Sequence, residues 1–158
     1  MNYENEMEIS FRSVPVNEML ARNAVAAFIL YLDPEVEELA EIKTAVSEAV
    51  TNCIVHGYEE NPKGIITLEC KISYDRKLYI KVADKGRGIE NIEQARRPLF
   101  TTGDFEERSG MGFTVMESFM DEIEIHSVVG IGTKVVMKKR IKKEDNEIIE
   151  EEKNALIN

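Results

Sequence analysis

Ile66, Leu68, Cys70 and Ile72 alternate with polar residues, and after Tyr74-Asp75-Arg76-Lys77 the alternation resumes at Leu78, Ile80 and Val82. A period of two puts each apolar set on one face of a strand. Strands joined by so short a connection pair antiparallel. A hairpin with one apolar face must bury that face against another layer, which restricts the chain to a sheet covered on one side. The covering layer lies upstream. Leu39, Ile42, Val46, Ala49, Val50 and Cys53 recur at spacings of three and four, marking one buried helical stripe. That helix is expected to begin near Asp33-Pro34, with Asp33 as N-cap and Pro34 in the first turn. It is expected to stop at Gly57, a C-cap residue able to take positive φ.

The other elements follow the same rules. Met7, Ile9 and Phe11 alternate in a first strand that ends before Pro15. Asn17 can cap a helix running through Leu32, with Leu20, Ala24, Phe28 and Leu32, or the neighbouring Ala27 and Tyr31, on its buried face. Asn61-Pro62-Lys63-Gly64 is a turn. Regularity stops at Asp84 for some twenty-five residues, broken by a short helix at Ile92 to Arg96, and a loop that long in a compact domain is a functional lid or disorder. A helix over Gly110–Met120 precedes two strands, Glu122–Val128 and Thr133–Lys139, joined by a turn at 129–132. The expected architecture is an α+β two-layer sandwich of five strands and three main helices. Residues 1–140 form the domain, and 141–158 form a charged tail that frays or makes a mobile helix.

Composition excludes several classes. A net charge of −10 repels a phosphate backbone, so nucleic acid is not expected as a ligand, and a basic partner surface is favoured. The longest apolar run, Ala24 to Leu32, is too short to cross a bilayer. Glu4, Glu6 and Glu8 stand where a secretion signal needs positive charge, so the expected compartment is cytoplasmic. Cys53 falls on the helical stripe and Cys70 on the apolar side of a strand. Two cysteines so placed are read as reduced core thiols, not a disulfide or a metal pair.

The chemistry-bearing residues are few. At about 100° per residue, Glu48 and Asn52 lie one turn apart and well away from the apolar stripe, so a carboxylate and a carboxamide point the same way. By themselves they are better read as two polar residues on a solvated helix face. Asp84-x-Gly86-x-Gly88 lets the chain turn sharply at a strand end and come close to a flat ligand, with Asp84 able to accept from an exocyclic amino group. Alone, it is better read as a turn serving only geometry. Ser109-Gly110-Met111-Gly112 opens a helix whose free N–H groups and positive dipole end suit phosphate oxygens. Arg108 just before it could pair with a terminal phosphate, or be a solvated lid arginine. Gly130-x-Gly132-Thr133 is a hairpin turn that could bring a hydroxyl to a ligand. Neither a Rossmann fingerprint nor a Walker A loop is present.

In this order and spacing, Glu48-x-x-x-Asn52, Asp84-x-Gly86-x-Gly88, Gly110-x-Gly112 and Gly132-Thr133 resemble the N box and three glycine boxes of the GHKL ATPase/kinase superfamily, which includes gyrase and histidine-kinase ATPase domains. The segments EIKTAVSEAVTNCIVHGY and RRPLFTTGDFEERSGMGFTVMESFMDE are more similar still to bacterial anti-sigma factors that double as serine-protein kinases. They fit the sporulation branch better than the stress-response branch. The resemblance spans residues 6–140.

It implies a Bergerat-type ATP-binding fold with a mixed, largely antiparallel sheet covered by helices on one face. Asn52 would hold Mg²⁺, Asp84 would read adenine with Thr133 nearby, and Gly86 and Gly88 would shape that turn. Ser109, Gly110 and Gly112 would seat the phosphates of ATP or ADP. Arg108 would reach the γ-phosphate, Thr101 and Thr102 would belong to the lid, and Glu48 would be the general base. The implied partners are a sigma factor, an anti-anti-sigma antagonist phosphorylated on serine, and a second copy in a homodimer, with partner contacts on the first helix through Arg22. Arg22 is also what a solvated helix arginine looks like. The alternatives are an anti-sigma kinase for another sigma factor, a nucleotide-binding module without phosphotransfer, and, weakest, a lone histidine-kinase ATPase domain.

Overall fold

The structure, a computed structural model, describes residues 2–98, 111–143 and 153–157. Five strands form one sheet in the order β1-β2-β3-β5-β4: β1 (Tyr3–Arg12), β2 (Ile65–Ser73), β3 (Lys77–Asp84), β4 (Glu122–Val128) and β5 (Gly132–Arg140). All four pairings are antiparallel, the limiting case of the expected pattern. Cys70 lies opposite Ile80 and Leu68 opposite Val82, so the two alternating runs share a face. Three helices cover that face: α1 (Asn17–Ile29), α2 (Val36–Asn52) and, after the short α3 (Ile92–Arg96), α4 (Gly112–Phe119). The opposite face is wet. There Glu69 accepts Lys71 at 2.9 Å and Lys81 at 2.7 Å.

The apolar stripe of α2 is buried as its spacing requires, with Ile42, Ala45, Val46, Ala49 and Val50 fully enclosed. On α1 the buried set is Ala21, Val25 and Ile29, with Leu32 just beyond. Leu20 and Tyr31 are about half exposed, one residue out of phase with the expected face. So many apolar residues crowd this helix that period alone does not choose between adjacent stripes.

Three expected caps are corrected. Asp33 does not start α2. It ends the one-turn 3₁₀ extension of α1 (Leu30–Leu32) in the left-handed region at φ 51°, and α2 starts after Glu35. A short polar side chain tolerates that conformation, so an aspartate between two helices serves the first as easily as the second. Asn17 donates through Nδ2 to the Arg12 carbonyl at 2.9 Å and is already inside α1. Gly57 is not at positive φ. Helix α2 ends by widening into a π-turn over Cys53–Gly57, closed by the Tyr58 amide donating to the Cys53 carbonyl at 2.9 Å. The last strand is tied down by Arg76, whose guanidinium donates to the carbonyls of Leu32 and Ile141.

Candidate functional site

The C-terminal end of α2, the ends of β3 and β5 and the start of α4 enclose a cavity of about 560 Å³, within the usual range for a small-molecule site. Glu48, Asn52, Asp84, Gly88, Gly112 and Thr133 all line it. These residues lie up to eighty-five positions apart in the chain, and the fold brings them to one place.

One wall is α2 against α4. Glu48 and Asn52 are half-buried on the side of α2 away from its core stripe. A Cβ built on Gly112 would stand 3.2 Å from both Glu48 Oε2 and Asn52 Nδ2. Glycine at 112 therefore keeps open the space into which both side chains project. The floor is Asp84, the last residue of β3, only 8% exposed and paired in register with Thr133. Its carboxylate accepts the Gly86 amide at 2.9 Å. Burial pushes the Asp84 carboxyl up from its ordinary value, against the pull of the Gly86 amide. The Cys53 thiol is pushed well up, first by its own burial and then by the Asp84 charge, so it is an unreactive thiol rather than a thiolate.

Close backbone approach explains the glycines. A Cβ at Gly57 would sit 2.8 Å from Asp84 Oδ2, and one at Gly132 would sit 2.1 Å from the Asp84 carbonyl oxygen. Gly86 does not face the cavity. It packs on Gly57, whose carbonyl accepts the Arg87 amide at 2.9 Å, and a Cβ there would fall 2.0 Å from that same oxygen. Both partners are backbone and cannot swing away. Gly86→Ala is therefore expected to destabilise the fold by about 1–3 kcal/mol, a fall in Tm of roughly 2–12 °C at this chain length, read by a thermal melt. An unchanged melt would mean that the strand end is free to shift.

Several contributors have no counterpart in the sequence motifs. Ser127 on β4 accepts the Ile89 amide at 2.7 Å and shares a 2.8 Å hydrogen bond with the Thr133 hydroxyl, lashing the glycine turn after β3 to the β4–β5 hairpin. Cys53, His56 and Arg87 line the cavity. His56 follows Asn52 by four residues, a helical spacing that could have flagged it. Cys53 could only be read as core. Glu18 of α1 also reaches the cavity, and its carboxylate accepts Arg22 Nη1 and Thr51 Oγ1, each at 3.2 Å. Arg22 itself is not a lining residue, but it is one side chain away. Thr101, Thr102, Arg108, Ser109 and Gly110 lie outside the described residues. No helix among the described residues is long and apolar enough to cross a membrane.

Comparison with known proteins agrees with this geometry. Residues 12–139 match the family model of the histidine kinase-like ATPase domain. The chain is 60% identical over 141 residues to the anti-sigma F factor of Thermoanaerobacter pseudethanolicus, covering 89% of this chain and 97% of that protein. It is 56% identical over 137 residues to the anti-sigma F factor of Clostridium acetobutylicum, covering 87% and 94%. Among solved structures, the RsbU and RsbW domains of a Mycobacterium tuberculosis protein superpose with a TM-score of 0.65 at 18% identity. That match covers 88% of this chain and 33% of the other, and at such identity it speaks for the fold alone.

Proposed function

The chain belongs to the anti-sigma F factors, within the histidine kinase-like ATPase domain family, and from that premise we propose that it is a Mg-ATP-dependent serine-protein kinase that also sequesters a sporulation sigma factor. The observation that carries this reading is the meeting of Glu48, Asn52 and Gly112 at one end of a cavity whose other end is Asp84 and Thr133. A nucleotide has that polarity. Its base carries an exocyclic donor suited to the Asp84 carboxylate, and its phosphates suit the glycine-opened start of α4.

The residues present fit magnesium. Asn52 offers one carboxamide oxygen in the space that Gly112 leaves open, and magnesium draws most of its other ligands from phosphate and water. Bound there, it would neutralise charge on the phosphates. Glu48, one turn before Asn52, is then placed to take the proton from an attacking hydroxyl while the phosphoryl group transfers. The hydroxyl is assigned to a serine of an anti-anti-sigma antagonist. Phosphorylating it would keep the antagonist from displacing the sigma factor, so catalysis and inhibition act in one direction. A cytoplasmic homodimer is part of the same reading. A module that only binds nucleotide has no use for Glu48 at this position.

Partner contact is assigned to α1 through Arg22. Its i,i+4 pair with Glu18 is about one-third exposed and worth only a few tenths of a kcal/mol, which leaves the guanidinium available to a partner carboxylate. Arg22→Glu is expected to weaken capture of sigma factor or antagonist by about tenfold or more. Because Glu18 rather than Arg22 lines the cavity, ADP affinity should stay within about threefold and stability within about 0.5 kcal/mol. Pull-downs with both partners beside an ADP titration read this. Undiminished capture of both proteins would move the partner surface elsewhere.

A further inference from the structure

The geometry points to Tyr58 as a positioning residue for base recognition: its hydroxyl takes the place of the last rung between β2 and β3 and so sets where the strand end carrying Asp84 lies in the cavity. This rests on the proposal that Asp84 reads adenine. The β2–β3 ladder runs as far as Thr67 opposite Ala83. Continued in the same register, it would set Ile65 against Lys85, the residue after Asp84. The Tyr58 hydroxyl stands between those two instead. It donates to the Ile65 carbonyl and accepts the Lys85 amide at 2.7 Å. One side-chain oxygen therefore spaces β3 from β2 where the chain leaves the sheet for its glycine turn.

The phenol is itself held in place. Its ring lies against Gly64, where a Cβ would fall 2.5 Å from the ring's Cγ. The next two residues, Glu59 and Glu60, both sit in the left-handed region, at φ 51° and 64°. Residues other than glycine adopt that conformation where their surroundings impose it. Here Glu59 pairs with Arg87 at 2.8 Å, and the Glu60 amide donates to the Ile54 carbonyl at 2.8 Å. Burial raises the phenol's pKa from its ordinary value, so at neutral pH the hydroxyl keeps the proton it donates.

Asp84 is bracketed by these contacts. On one side it is paired in register with Thr133 of β5. On the other, the hydroxyl holds the very next residue, and Gly57 takes the Arg87 amide on its carbonyl while leaving no room for a Cβ beside the carboxylate. The Gly57 contacts are made by backbone and persist in a side-chain variant, whereas the hydroxyl can be removed alone. Without it, Lys85 and Ile65 either close on each other or admit a water, and the strand end loses its fixed spacing. A carboxylate held at one angle accepts the amino group of a 6-amino purine and opposes a 6-oxo purine, which brings an oxygen to the same place. A carboxylate free to wander separates the two less well.

The test is calorimetric titration of the full chain with ADP and with GDP at neutral pH, for Tyr58→Phe, Asp84→Asn and the double variant, each with a thermal melt. Tyr58→Phe keeps the ring on Gly64 and should bind ADP about three- to tenfold more weakly, with less discrimination against GDP. In the Asp84→Asn background the same change should move ADP affinity by less than about twofold, because Tyr58 acts through the carboxylate. A hydroxyl that only supports the fold would lower the melt and leave the ratio of ADP to GDP affinity where it was. That result overturns the inference, as does a loss from Tyr58→Phe that is equal in the two backgrounds. If Tyr58→Phe does not fold, Gly64→Ala takes its place, since the added methyl displaces the ring from outside the cavity. The same loss of affinity and discrimination is then expected, and unchanged binding overturns the inference. Asp84→Asn separates the two levels. Lost ADP affinity there with Tyr58→Phe unchanged sinks only the role of Tyr58, whereas unchanged ADP affinity there sinks the adenine reading and this inference with it.

Discussion

Glu48→Gln is expected to slow phosphotransfer by roughly 10²–10⁴-fold, the usual contribution of a positioned general base, while ADP affinity and sigma binding hold. The amide fills the same volume beside Gly112 and leaves Asn52 undisturbed, but it cannot accept the proton of an attacking hydroxyl. Loss of rate without loss of affinity is the signature of an interaction made only in the transition state. Single-turnover transfer from labelled ATP measures it. A rate within a few-fold of the unmutated chain would remove Glu48 from the mechanism.

Asp84→Asn should cost about 1.5–3 kcal/mol of ADP binding, roughly 10- to 150-fold in affinity. The Gly86 amide already donates to this carboxylate at 2.9 Å. An amide has one acceptor oxygen and two N–H groups. Whichever way it flips, an N–H faces either the Gly86 amide or the amino group of the base. Calorimetry at neutral pH reads the loss directly. Equal affinity would make Asp84 a turn residue and leave base recognition to other groups.

The framework was legible because it is written in local periods. Alternation at Ile66–Ile72 and Leu78–Val82 is enough to specify the β2–β3 hairpin and the face it buries. The three-and-four spacing from Leu39 to Cys53 places Glu48 and Asn52 on the opposite side of α2, and both line the cavity. What failed was local ambiguity. Asp33 is as good at ending a helix in the left-handed region as at capping the next one, and the adjacent apolar stripes of α1 differ by one residue in phase.

The base end of the site was legible only in part. Asp84 and Gly88 announce a turn, but nothing near them in the sequence says that Gly57, twenty-seven residues earlier, packs against that carboxylate. Gly57 ends a π-turn, which forms when one residue is accommodated without breaking the helix and leaves no composition signal. The roles of Gly57 and Gly86 were hidden for a related reason. Neither serves positive φ; each permits a close packing of two chain segments that only the fold brings together. Ser127, which joins the Ile89 amide to the Thr133 hydroxyl, is likewise a long-range contact in an unremarked strand position.

The central claim is that this cavity transfers a phosphoryl group from ATP to a serine of another protein. The direct measurement is incubation of the purified chain with γ-labelled ATP, magnesium and an anti-anti-sigma protein, followed by mass spectrometry of both proteins. One phosphate on one serine of the antagonist is expected, dependent on magnesium and abolished by Asn52→Ala. Phosphate on a histidine, or ATP bound with no transfer to the antagonist, would contradict the account.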